Sequence, residues 1–73
     1  MPRERLFPLA PIERLIKKGG AERVSATATR TLRELLEDLT LKIASAAREL
    51  AEHAGRKTIT EGDIKLAYKQ LFG

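Results

Sequence analysis

Between Ser25 and Ala54 the chain runs 28 residues, ATATRTLRELLEDLTLKIASAARELAEH, without a proline or a glycine. Proline removes a helix hydrogen bond and glycine adds backbone entropy, so a tract lacking both and rich in Leu, Ala, Glu and Arg reads as one helix from Ala26 to about His53. Ser25 suits its N-cap, since a serine hydroxyl accepts a bond from an N–H that the first turn leaves unpaired. Leu32, Leu36, Leu39, Ile43, Ala46, Leu50 and His53 recur four and three residues apart, and Ala28, Leu35, Ala47 and Ala54 widen them into an apolar face. At 1.5 Å per residue such a helix is about 42 Å long. A compact globule of 73 residues is only about 29 Å across. A second chain laid across the stripe is therefore expected.

The flanking segments are short. Residues 1–8, MPRERLFP, hold two prolines and no helical stripe, and read as an extended arm. Pro11 suits a first turn, where its missing N–H costs nothing; Ile12, Leu15 and Ile16 follow at helical spacing until Gly19 and Gly20 stop the run at Lys18. Ile64, Ala67, Tyr68 and Leu71 give a last helix, Glu61 to about Phe72, an apolar face of its own. The stretch AGRKTITEGDI at 54–64 joins it to the long helix. There Gly55 serves as the C-terminal stop, Thr60 and Asp63 stand in capping-box spacing, and Ile59 and Ile64 sit where a hydrophobic staple fixes the entry angle. The fold class is all-α, and neither short helix can cover the long stripe from end to end.

Composition narrows the function. A domain this small buries only about 60% of its unfolded surface, and with no cysteine in the chain neither disulfides nor a thiolate zinc site can staple it. The net charge is +4, and it is uneven: residues 1–23 hold six cations against three anions, residues 54–73 four against two, and residues 24–53 four against five. Helix starts and corners are where backbone N–H groups and the dipole attract phosphate, so basic corners flanking a long helix suit a phosphate backbone gripped at separated points. No apolar run is long enough to span a membrane. The cations cluster at helix ends rather than along one face, which argues against a membrane-surface anchor and for a cytoplasmic protein. Catalysis finds little support, with one histidine and no nucleophile in register with a base. Glu49 and His53 are two possible ligands and do not make a metal site; His53 reads better as the polar end of the stripe, and Glu34, Glu37 and Asp38 as a solvated helix face. Asn is absent, Gln occurs once, and a third of the residues are charged, a balance common in hyperthermophile proteins.

The segments APIERLIKKGGAERVS at 10–25 and LAEHAGRKTITEGDIKLA at 50–67 closely resemble the archaeal histones, in residue types and in their distance apart. The resemblance implies a histone fold over residues 9–73: a short, a long and a short helix, with two chains crossing at their long helices in a handshake dimer. It implies a protein that binds and wraps duplex DNA with little sequence specificity, without cofactor or metal, associated with the chromosome, and able to chain into a superhelix. Carried over by residue, Arg23 enters the minor groove and Thr58 braces the partner's arginine. Arg14 meets DNA from the short helix near the dimer twofold, Lys17, Ser25 and Lys57 meet the DNA backbone, and Arg56 and Asp63 form an intrachain ion pair. Leu50, His53 and Asp63 form the surface through which dimers meet, and Gly20 is where successive superhelical turns approach. Three features depart from the pattern: Glu13 sets an anion beside Arg14, Leu41 takes a position often polar, and MPRER lengthens the arm. Homodimers are expected, with a histone paralogue as a possible second partner. The alternative is a histone-fold subunit of a heterodimeric transcription or repair factor; a helical dimer with no nucleic-acid role is more distant.

Overall fold

The local signals become three helices in a computed structural model that describes residues 6–73; the first five residues, with Arg3 and Arg5 of the expected arm, lie outside the described residues. Helix α1 is Leu9–Lys18, α2 is Ala26–His53 and α3 is Glu61–Phe72, with no strand among the described residues. The last two agree with the sequence reading. Helix α1 starts at Leu9 rather than Pro11, because the first-turn N–H groups have no intrahelical partner and proline is tolerated at the third position as well as the first. Pro8 stands at its N-cap without any side-chain cap bond.

In the half of the chain that ends at Asp38, Ser25 starts α2: its hydroxyl accepts from the Ala28 N–H at 3.0 Å, and its carbonyl accepts from the Thr29 N–H at 3.1 Å and the Thr29 hydroxyl at 3.2 Å. Ile12 and Thr29 are buried. So is Glu37, with 6% of its surface exposed, which corrects the reading of it as part of a solvated face. Burying a carboxylate costs free energy unless hydrogen bonds replace water. Glu37 Oε2 accepts from the N–H groups of Leu6 at 3.0 Å and Phe7 at 3.2 Å, so the carboxylate on α2 fixes the chain just before α1 begins.

In the half from Leu39 onward, the buried residues are Ala47, Ala51, Asp63 and Ala67. Helix α2 ends in a full Schellman turn: the Gly55 N–H donates to the Glu52 carbonyl at 2.9 Å and the Arg56 N–H to the Ala51 carbonyl at 2.9 Å. Gly55 has φ +73° there, a left-handed conformation that glycine adopts without a Cβ penalty. The capping box opens α3, with Thr60 and Asp63 each taking the other's backbone N–H. Along α3 the expected apolar face divides. Ala67 is buried within the chain, whereas Ile64, Tyr68, Leu71 and Phe72 remain exposed, the Tyr68 and Phe72 rings 5.2 Å apart.

The long helix divides in the same way. Its buried residues are small or polar (Thr29 and Glu37 in one half, Ala47 and Ala51 in the other), while Leu32, Leu36, Leu39, Ile43, Ala46 and Leu50 are half-buried and Leu35 is exposed. At 3.6 residues per turn the buried line runs roughly a quarter turn from the leucine stripe. Among the described residues, the apolar ones buried by the chain itself are Ile12 and three alanines, and no large side chain is fully buried.

Candidate nucleic-acid interface

The basic residues singled out by sequence sit on helix ends and the segments between helices. In the first half, Arg14 and Lys17 lie on α1, and Arg23 and Ser25 on the stretch that leads into α2; all four are exposed. Ser25 is already an N-cap, so any bond to a ligand adds to a hydroxyl that holds the Ala28 N–H. The Glu13 carboxylate pairs not with its neighbour Arg14 but one turn on, with Lys17, Oε1 to Nζ 3.3 Å. Residues four apart face each other on a helix and residues one apart do not. Gly20 has φ +111°, and no atom lies within 4 Å of where a Cβ would stand, so the space beside it is open.

In the second half, Lys57 and Thr58 are exposed in the corner between α2 and α3. Beside them Arg56 is committed to its own chain. Its guanidinium donates to both oxygens of Asp63, at 2.7 and 2.8 Å, and to the Thr58 carbonyl at 3.1 Å. Asp63 Oδ2 also accepts from the Thr60 N–H at 2.8 Å and the Thr60 hydroxyl at 3.0 Å. The Arg56 bonds, then the Thr60 N–H, hold the Asp63 carboxyl well below the usual carboxylate range, and the Asp63 bond raises Arg56. A bidentate arginine and a capping box on one carboxylate make a stiff corner that presents Lys57 outward.

The expected dimer-to-dimer surface falls within this half as well. Leu50 is half-buried, His53 exposed and Asp63 buried with both carboxylate oxygens engaged, so Asp63 shapes the corner rather than standing as an open acceptor. Glu49, Glu52 and His53 line a shallow concavity, where Arg48 grips Glu52 at 2.6 and 3.0 Å. A second, apolar groove is lined by Ile43, Ile64, Tyr68 and the stems of Lys65 and Lys69. The sequence pattern places Ile64 and Tyr68 with Ala67 on one face; the volume of Ala67 against the bulk of its neighbours is the available signal that only the alanine fits inside. Leu66, exposed on the opposite side of α3, carries no signal, being a lone leucine among polar positions.

Among the described residues no group of three or more His, Cys, Asp or Glu could hold a metal, and no helix is long and apolar enough to cross a membrane. Exposed cations beside helix ends can neutralise a polyanion but supply no nucleophile or base. Comparison with known proteins agrees with that chemistry. The family model described as "Histone-like transcription factor (CBF/NF-Y) and archaeal histone" matches residues 5–68. One subunit of the archaeal histone HAN1 from Thermococcus zilligii is 52% identical over 63 residues, which cover 86% of this chain and 94% of that protein. Probable archaeal histone 3 of Methanocaldococcus jannaschii is 45% identical over 63 residues, again 86% of this chain and 94% of that protein.

Proposed function

The chain belongs to the family of histone-like transcription factors (CBF/NF-Y) and archaeal histones, and we propose from that premise that it packages duplex DNA as an intertwined pair of chains. Both relatives are archaeal histones, so DNA packaging of the archaeal kind, a structural and not an enzymatic role, is favoured over membership of a transcription or repair factor. The observation that carries the pairing is the interior: among the described residues the buried apolar ones are Ile12 and three alanines, while Tyr68, Phe72, Leu71 and Ile64 stay exposed and Leu32, Leu36, Leu39 and Leu50 of α2 are half-exposed. A second copy crossing at α2 supplies the missing cover. The Thermococcus relative is named as one subunit of its histone, which supports pairing with a second histone as well as with itself.

On this reading residues 9–73 form the histone fold. Arg23 lies in the inward-facing minor groove with Thr58 of the partner beside it, Arg14, Lys17 and Lys57 meet the DNA backbone with their cations, and Ser25 meets it with its hydroxyl. Sequence preference then comes from DNA deformability. Dimers chain through Leu50 and His53, with Asp63 shaping the junction, and Gly20 leaves room for the next superhelical turn. The protein is cytoplasmic and bound to the chromosome.

Nuclease digestion of reconstituted complexes tests the reading. Three grips per dimer, one at the paired short helices and one at each pair of corners, at about 10 bp per inward-facing groove give a footprint of roughly 30 bp, and chaining gives a ladder with that step. Lys57→Ala in both protomers should reduce the salt slope of binding by about 1.8, at roughly 0.9 per phosphate, and Arg23→Ala should weaken binding more. An Arg23→Ala protein that binds like wild type, or digestion without any protected length, would refute it.

A further inference from the structure

We propose that Glu13 masks Lys17, so that the short helix grips DNA with fewer effective cations than it carries, and that this acid sets the strength and salt sensitivity of the contact made by the paired short helices. The proposal rests on the DNA-binding reading above and deepens it. Helix α1, LAPIERLIKK, has one carboxylate and three cations, Arg14, Lys17 and Lys18. At 100° per residue the three cations fall on one side of the helix, and Glu13 borders that side from the Lys17 edge. The carboxylate and ammonium are 3.3 Å apart, with about half of each side chain exposed. Glutamate four residues before lysine is the favourable order for such a pair.

A surface pair of this kind adds little to folding. Its effect on a polyanion is larger. A lysine that faces water releases a counterion from the phosphate it neutralises; a lysine already paired brings its carboxylate along, so the local charge delivered to the phosphates is zero rather than +1. In a two-chain assembly the deficit is doubled. Lys18, one residue on, has no such neighbour within α1, since Arg14 stands four residues before it.

The test is a double-mutant cycle on the full chain, Glu13→Gln, Lys17→Gln and both, with affinity for a duplex of mixed sequence measured across a salt series. Far-UV circular dichroism on each variant confirms equal helix content, as expected for half-exposed positions. Glu13→Gln should bind several-fold more tightly and steepen the salt slope by about 1.8, from roughly 0.9 per unmasked lysine in each of two protomers. Lys17→Gln should weaken binding, because it leaves the Glu13 carboxylate bare beside phosphate, but should leave the wild-type salt slope nearly unchanged, and in the Glu13→Gln background it should abolish the gain in slope. Equal losses of salt slope from Lys17→Gln in both backgrounds, or an unchanged slope in Glu13→Gln, would overturn the masking. A wild type that binds no duplex at any salt would instead overturn the DNA reading.

Discussion

Tyr68→Ala isolates the contribution of the second chain. Tyr68 is 55% exposed on α3, beside Ile43 and Ile64 in the apolar groove, so truncating it takes little from the chain's own interior. A tyrosine carries roughly 200 Å², and the exposed part, about 110 Å², is worth about 2.7 kcal/mol when covered, at about 25 cal/mol per Å². Alanine keeps a small share, leaving a loss of about 2 kcal/mol per protomer and 4 per dimer, or close to a thousandfold in the dimer dissociation constant. Sedimentation equilibrium over a dilution series measures that constant, and circular dichroism on the same samples follows folding. Helix signal should fall together with the dimer. Leu66→Ala, a comparable loss of exposed apolar surface on the other side of α3, should leave both within about 0.5 kcal/mol of wild type. A Tyr68→Ala dimer as tight as wild type refutes the assignment of this face to the partner, and a well-folded monomer refutes the coupling of folding to pairing.

The corner and the dimer junction give the remaining expectations. Asp63 has its pKa depressed by Arg56 and Thr60, so its contribution to stability is complete above the unfolded aspartate value of about 3.9 and is lost as pH falls below it toward the lowered folded value; melting curves of wild type and Asp63→Asn should differ most near neutrality and converge in acid, and a constant gap would contradict this. Thr60→Ala removes an N-cap and should cost about 1 kcal/mol per protomer, about 4–8 °C in melting temperature for a domain of this size, by scanning calorimetry. Leu50→Asp should collapse the nuclease ladder to its first rung while sedimentation still finds a dimer; an unchanged ladder would rule out chaining through that surface.

Helix boundaries are legible in the sequence because their causes are local. Ser25, Gly55, Thr60 and Asp63 act on neighbours within a few residues, and each appears where its chemistry predicts. The interior is less legible. Large apolar residues mark what must be buried somewhere, and in a chain that buries them against another molecule most of them do not mark its own core; among the described residues the buried ones are Ile12, three alanines, Thr29, Glu37 and Asp63. The partners of Glu37 are backbone groups 30 and 31 residues away, a distance at which no spacing rule operates. The Glu13–Lys17 pair is within reach of helical spacing, since the two stand four apart on α1, but the adjacency of Glu13 to Arg14 is the more conspicuous feature of the sequence. The cations of the corner are visible as charge, whereas the division of labour between Arg56, turned inward, and Lys57, turned outward, depends on the fold of the turn.

An apolar interior that, among the described residues, amounts to three alanines and one isoleucine also bears on how partners are chosen. On the paired reading, a chain separated from its mate keeps little that holds it folded, so trading one mate for another requires passage through the unfolding barrier rather than a simple parting of surfaces. Exchange between histone paralogues then proceeds at the rate of unfolding and accelerates steeply on heating. Pairings set when the chains first meet would outlast later changes in the supply of each paralogue, and the composition of the DNA-bound population becomes a record of earlier synthesis as well as a response to present abundance.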